Sequence, residues 1–508
     1  MNKLLPLLLI ALMLISGCSS KPTEDKKVFR YGTTAYGASM DNAGIDPHKN
    51  YQGWSTIRYG IGETLFRLDE HSQPQPWLAL KYEYTDDKTC KITLRDDVTF
   101  SSGRKMTAQA VKECLEQLIA SHNRAAEDLK IASISADGQE LLTIKTTDAL
   151  PALINYLCDP YACIMDMHNK SKDNNLLAGT GPFIAQRVTA QEISLQRNPH
   201  YWGGPVQTEA VLIKGIPDGD TLAMALQSGE LDAAQGLPYA SLRLFRDNPA
   251  FKISSTETSR VFQAALNFAS PVFQDAHVRK AVALAIDKQA FTKTLLEGNG
   301  TPADGPFPSN LPYGSSWQSS SYDTTAARKM LAEAGWQDTD GDGYVDKDGK
   351  PLTLRWLTYP ARQELPLLAE AAHDYLKNIG IKTEVNITDN CAAFLQNGQW
   401  DIYAKAFVCA PTGDPEYYFT THIPSASAYN AGHYYNPKAE ELLQRLRSTV
   451  NPQQRAELAQ QLTKIIQEDN AYLYYAHLKM SLVMKNNIRG FNAHPSDYYE
   501  ITAALSKE

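Results

Sequence analysis

Asp275-Ala276-His277-Val278-Arg279-Lys280-Ala281-Val282-Ala283-Leu284-Ala285-Ile286-Asp287 is the stretch on which the fold turns. Val278, Ala281, Val282, Ala285 and Ile286 recur at helical spacing. The segment therefore predicts a helix from Ala276 to about Leu296, apolar on one face and stopped at Gly298. Apolar strands lie on either side in sequence: Val28-Phe29-Arg30-Tyr31-Gly32 and the alternating Cys90-Lys91-Ile92-Thr93-Leu94-Arg95 before it, Leu352-Thr353-Leu354-Arg355-Trp356-Leu357 and Asp401-Ile402-Tyr403-Ala404-Lys405-Ala406-Phe407 after it. Between them, Thr107 is placed to cap a helix that buries Val111, Cys114, Leu115, Leu118 and Ile119, and Thr221 to open a short one from Leu222 to Gln227. Further helices are predicted at Thr324–Ala334, Glu364–Ile379 and Pro452–Glu468. Strands alternating with helices specify α/β layers rather than a bundle or a sandwich. No repeat or low-complexity linker follows residue 27, so the domains of so long a chain are joined by ordered crossings.

The N-terminus is of another kind. Lys3 precedes the apolar run Leu4 to Ile15, which is too short to span a bilayer and ends in Leu14-Ile15-Ser16-Gly17-Cys18. This resembles the lipobox of bacterial lipoproteins, which implies a signal peptide at 1–17, acylation of Cys18 and a polar tether at 18–27. Each buried methylene of such a lipid adds roughly 0.8 kcal/mol of membrane affinity. The expected location is extracytoplasmic and membrane-anchored, on a cell surface or in a periplasm. A net charge of −8 carries no basic stripe for a nucleic acid. Apart from Cys18, six cysteines remain, and Cys158/Cys163 and Cys391/Cys409 are close enough in sequence to pair. Cys114, on the apolar face of its helix, reads equally as a buried thiol.

Enzyme signatures are missing: there is no G-x-S-x-G, H-E-x-x-H or phosphate-binding loop, and no histidine pair has metal-ligand spacing on one helix. Asp338, Asp340, Asp342 and Asp346 fall at positions 1, 3, 5 and 9 of a calcium-type loop, with Gly343 at position 6. Gly349 stands where the bidentate Glu belongs, so the segment reads first as an Asp/Gly turn and second as a structural calcium site.

Longer motifs run through the rest of the chain. Gly62-Glu63-Thr64-Leu65-Phe66, Pro76-Trp77-Leu78-Ala79, Leu94-Arg95-Asp96-Asp97-Val98-Thr99-Phe100, Gly179-Thr180-Gly181-Pro182-Phe183, Arg197-Asn198-Pro199-His200-Tyr201-Trp202-Gly203, Ala225-Leu226-Gln227-Ser228-Gly229-Glu230-Leu231-Asp232 and Leu266-Asn267-Phe268 precede the opening helix in this order. In order and spacing they resemble the family-5 solute-binding proteins of peptide and nickel ABC importers. The resemblance implies a two-lobed periplasmic-binding-protein-like α/β fold of the cluster C type. It implies an N-terminal lobe at 28–266 plus 487–508 with an inserted subdomain at about 50–170, and a C-terminal lobe at 267–486. Two crossings near Asn267 and Asn486 then form the hinge. It also implies a monomeric, non-enzymatic receptor that closes on its ligand and delivers it to a permease and ATPase.

The resemblance also suggests where ligand sits. In Ala410-Pro411-Thr412-Gly413-Asp414-Pro415-Glu416-Tyr417, Asp414 occupies the place of an aspartate that pairs with a peptide's α-ammonium, with Tyr417 beside it. Arg362 is placed to face a ligand carboxylate, and Tyr51, Trp54 and Arg58 to line the opposing wall. For a nickel chelate, His422 or His433 is the candidate metal ligand. Two departures from the nickel pattern stand beside this, Ala426 after Ile423-Pro424-Ser425 and Ala162 where an arginine is expected. The ligand is thus a short peptide or a metal chelate, with no cofactor required. The rival readings are a lipid-anchored metal-dependent hydrolase, and a sensor or chaperone on the same fold.

Overall fold

The computed structural model describes residues 28–37, 43–170, 176–314, 322–427 and 429–508; Cys18 and the tether lie outside them. Two lobes share one 11-stranded sheet. Its first strand in sequence, Val28–Thr33, lies between Ala210–Gly215 and Ala233–Gln235 and is parallel to both. From there the sheet continues through two long antiparallel strands, Phe251–Leu266 and Tyr472–Lys485, into Ile402–Val408, Thr353–Thr358 and Lys382–Ile387. The long pair belongs to both lobes. Its ladder runs from Phe251 opposite Lys485 to Ala265 opposite Tyr472, and its register shifts between Glu257 and Val261. Beyond that break the first strand also pairs with Ile402–Val408, from Arg260 opposite Val408 to Leu266 opposite Ile402.

The crossings expected at Asn267 and Asn486 fall at the outer ends of this ladder. There Asn267 donates to the Trp400 and Asp401 carbonyls, and the Asn486 amide to the Ala250 carbonyl. A continuous ladder resists bending, whereas an interruption bends a strand and increases its twist. At the interruption the Thr258 hydroxyl bonds across to the Leu478 carbonyl, 2.9 Å away.

The inserted unit has its own sheet, Ala79–Asp86, Thr89–Leu94, Leu141–Thr146 and Ile131–Asp137, all antiparallel. Helix Ala108–Ser121 covers it, capped by Thr107, whose hydroxyl accepts from the Ala110 amide. Val111, Cys114, Leu115 and Leu118 are buried as their spacing requires, each large side chain contributing about 1.5–3 kcal/mol. The chain end returns to the N-terminal lobe, where Ile488, Phe491, Ile501 and Leu505 pack with Phe29, Tyr31 and Ile213.

The opening helix is shorter than its periodicity suggests. It spans Ala276–Ala285, after which Asp287 adopts an extended backbone and accepts from the Ala290 amide. A short turn and a π-helical turn at Phe291–Leu295 follow. Ile286, Phe291 and Leu296 all enter the same core, so the apolar spacing survives the break that the aspartate cap imposes. The helix expected to open at Thr221 starts at Gly219, because Asp218 takes the cap and accepts from the Thr221 amide.

None of the six cysteines is paired, and all are buried. The expected Cys158/Cys163 and Cys391/Cys409 bridges are absent because the thiols face backbone carbonyls instead. Cys158 donates to Ile154, Cys391 to Thr358 and Cys409 to Ser259. No described helix is long and apolar enough to cross a membrane.

Candidate ligand-binding site

A cavity of about 1040 Å³ opens between the lobes. On the N-terminal side, helix Gln52–Arg58 brings Trp54 and Arg58 to the wall beside Tyr51. On the C-terminal side, Tyr403, Lys405 and Phe407 alternate along strand Ile402–Val408 and so share one face. The loop after Thr353–Thr358 adds Tyr359 and Arg362, and Tyr417 and Tyr429 complete an aromatic rim.

Charges in this cavity fall into two groups. The arginines of the N-terminal wall have partners, and Asp218 and Asp220 line the same cavity. Arg58 reaches Asp497 at 2.9 Å and Glu500 at 3.3 Å, and its guanidinium lies 5.3 Å from the Trp54 ring. Burial raises the Glu500 carboxyl to about 7 against the pull of Arg58, and Tyr31 donates to it at 2.7 Å. Arg124 bonds Asp159 at 2.7 Å and lies 5.4 Å from the Tyr417 ring across the cleft.

The C-terminal wall is different. Lys405 is only 8% exposed, yet among the described residues it has no hydrogen-bond or ion-pair partner. The Phe407 and Tyr429 rings lie 5.3 and 6.0 Å from its ammonium, and burial lowers its pKa from 10.5 to about 8. Arg362 has no such partner among the described residues either. Arg260 shares Asp497 at 3.3 Å; burial and the repulsion of Arg362 lower its pKa to about 10.

The lobes also touch directly. Tyr239 donates to the buried Glu364 carboxylate, Asn155 to the Thr412 carbonyl at 2.9 Å and Tyr498 to the Pro411 carbonyl at 2.8 Å. These contacts tie the two walls of the cleft to each other.

Of the residues singled out in sequence, Tyr51, Trp54, Arg58, Arg362 and Tyr417 lie on this cavity; Asp414, His422 and His433 do not. Asp414 is buried and receives Arg455 through two bonds, of 2.6 and 3.0 Å. It also accepts from the Glu416 amide at 2.8 Å, so its bonds are spent largely within the protein and away from the cavity. His422 is fully buried, stacked at 4.2 Å on Tyr418 and bonded to Gln263 at 2.9 Å; burial, with Lys405 nearby, holds it neutral. His433 is exposed in a left-handed turn with φ of 55°. Among the described residues, no histidine or cysteine lines the cavity.

The Asp/Gly loop brings Asp338, Asp340 and Asp346 together, with ligand atoms within 4.8 Å, and leaves Asp342 out. Asp338 accepts from the Gly341 and Gly343 amides, and Asp346 from Thr339. The carboxylates thus close a turn on themselves, as the turn reading expects.

Residues 73–466 match the model of the bacterial extracellular solute-binding proteins, family 5. The chain belongs to this family. Its members are transport binding proteins rather than enzymes, and they work outside the cytoplasm. The chain is 26% identical over 493 residues to the nickel-binding protein NikA of Staphylococcus aureus, covering 97% of itself and 96% of that protein. It is 27% identical over 346 residues to the oligopeptide-binding protein AppA of Bacillus subtilis, covering 66% and 64%. Among solved structures, a nickel ABC transporter protein from Bacillus halodurans superposes with a TM-score of 0.80 at 30% identity, covering 94% of this chain and 99% of that one. NikA of Staphylococcus aureus in complex with Ni(L-His)2 superposes with a TM-score of 0.81 at 25% identity, covering 95% and 100%.

Three features of the cleft went unread in the sequence: Arg260, Lys405 and the Tyr239–Glu364 contact. Lys405 had a visible signal, since one lysine interrupts an otherwise apolar strand at a position whose neighbours two residues away are aromatic. Arg260 and Tyr239 had none, because their meaning depends on strands and helices that meet only in the fold.

Proposed function

We propose that this chain is the substrate-binding component of an ABC importer, and that it captures a small metal chelate, with nickel among its cargo, between its two lobes. The observation that carries this reading is the interlobe cavity, whose aromatic and cationic walls come from both lobes and whose volume suits a small ligand. A ligand that touches both walls binds the closed form better than the open one and shifts the population toward it, and the closed form is what a permease and ATPase recognise. Acylation of Cys18 keeps the binder at the membrane, and it acts as a monomer. The likeness to nickel-binding relatives over nearly the whole chain supports the cargo.

A short peptide is the second reading, favoured by the likeness to AppA. It is the weaker one here, because Asp414, the residue placed to hold an α-ammonium, is bonded to Arg455. The test is a thermal-shift and calorimetric comparison of Ni(L-His)2 with tetraalanine on the purified protein. A raised midpoint and measurable heat with the nickel complex support the proposal. Binding of the peptide alone reverses the order of the two readings, and absence of both signals with every chelate and peptide tried overturns the importer role.

A further inference from the structure

The loop that follows strand Ile402–Val408 is the expected seat of a ligand ammonium, yet in the fold its main chain is taken up by the other lobe. Pro411, Thr412 and Gly413 are all buried, and each meets a different N-terminal element. Tyr498, on the returning chain end, donates to the Pro411 carbonyl at 2.8 Å. Asn155, on the short helix Leu153–Tyr156, donates to the Thr412 carbonyl at 2.9 Å. Gly413 packs on the turn between strands Phe66–Leu68 and Pro74–Pro76, where a Cβ would stand 1.9 Å from the Ser72 carbonyl oxygen. Its φ of 71° is left-handed as well, so glycine is required on two counts.

What the N-terminal lobe reads here is backbone. Both hydrogen bonds end on carbonyls, and the buried Thr412 hydroxyl has no partner among the described residues. The start of the loop is fixed to the long ladder. The Cys409 amide donates to the Ser259 carbonyl at 2.8 Å, and Ser259 lies inside the register break between Glu257 and Val261. From Cys409 to Gly413 the chain reaches at most about 14 Å. The loop therefore leaves the place where the ladder is interrupted and ends against the lobe beyond it. A rotation at the break that parts the walls draws the loop off its seat, since a hydrogen bond is lost once stretched by about 0.6 Å.

We propose that the main chain of residues 411–413 is a lobe-closing latch, which binds the N-terminal lobe as the cleft shuts and lets go as it opens. It adds one common increment to the affinity of every ligand and chooses among none, because it favours the shut form itself. The latch goes beyond the importer reading, and only its effect on affinity rests on that reading.

The experiment reads the latch with and without ligand. Small-angle scattering of the ligand-free full chain reports the separation of the lobes, and calorimetry with Ni(L-His)2 and with tetraalanine reports affinity. Asn155→Ala removes one bond. Gly413→Asn fills the seat with a residue that tolerates the left-handed backbone, so its effect reports the contact with Ser72. Both variants are expected to enlarge the radius of gyration. Both are expected to weaken every probe the native chain binds by one common factor, about fivefold for Asn155→Ala, the scale of a neutral hydrogen bond, and more for Gly413→Asn. Circular dichroism and the melting midpoint confirm that each variant is folded. A radius unchanged in both variants overturns the inference. So does a loss of affinity confined to one of two bound probes, which makes the loop a ligand contact. If the native chain binds neither probe, the importer reading suffers and the scattering alone decides the latch.

Discussion

Two buried cations in the C-terminal lobe make opposite arrangements with their surroundings. Arg455, on helix Pro452–Glu468, is 5% exposed and spends its guanidinium on Asp414, Glu416 and the Leu446 and Thr449 carbonyls. Lys405 is 8% exposed and has none of these. The first is a finished knot that fastens the Asp414 loop to a helix; the second is half of an interaction. Equal burial therefore says little about role, and the presence or absence of a partner says much. Burial of Glu416 beside Asp414 raises its pKa, so Arg455 is what keeps this acidic pair folded.

The sharpest way to break the contrast is Arg455→Met. Removing one side of a buried ion pair strands the other, and a loss of about 3–5 kcal/mol in denaturant-induced unfolding is expected, with ligand affinity kept by the molecules that remain folded. Lys405→Met should do the reverse. The ligand-free protein gains stability, on the order of 1–3 kcal/mol, because an unanswered buried charge is gone, and binding of an anionic ligand falls. If Lys405→Met destabilises as Arg455→Met does, the two sites are alike and the contrast collapses.

A pH titration separates them further. The Lys405 ammonium has its pKa lowered from 10.5 to about 8 by burial, beside Arg362, a neutral His422 and an Arg260 whose own pKa is lowered to about 10. Between those two values the unfolded chain binds the proton that the folded, ligand-free protein has released. Stability without ligand therefore gains from Lys405 as pH rises from about 8 towards 10.5. Affinity for an anion moves the other way, level below about 8 and falling above it, up to about tenfold per pH unit. Calorimetry at several pH values checks this, and the step should vanish in Lys405→Gln. The smallest effect belongs to the contact across the cleft: Tyr239→Phe removes one hydrogen bond to Glu364, worth about 1 kcal/mol, and should weaken ligand binding several-fold with little change in midpoint.

Local rules carried much of the fold. Thr107 caps its helix, Pro452 opens one that ends at Glu468, and the apolar strands stand within a residue or so of their expected bounds. They failed where two local rules competed, as at Asp287, whose side chain cuts a helix that the apolar spacing would continue. The cleft was legible in part. Tyr51, Trp54, Arg58, Arg362 and Tyr417 lie on the cavity, but Asp414 and His422 look functional in sequence and turn inward in the fold. A carboxylate in a turn-rich loop and a histidine near it look the same whether their partner is a ligand or a residue 41 positions away, as Arg455 is from Asp414. Only the three-dimensional partner distinguishes them.

The six buried thiols bear on how the protein is made. Burial raises the pKa of Cys90 and Cys114 to about 12, so at neutral pH only about one molecule in a hundred thousand presents either as the thiolate that attacks a disulfide. With all six unpaired, the described residues hold their native arrangement without cross-links. Added reductant is accordingly not expected to move the melting midpoint.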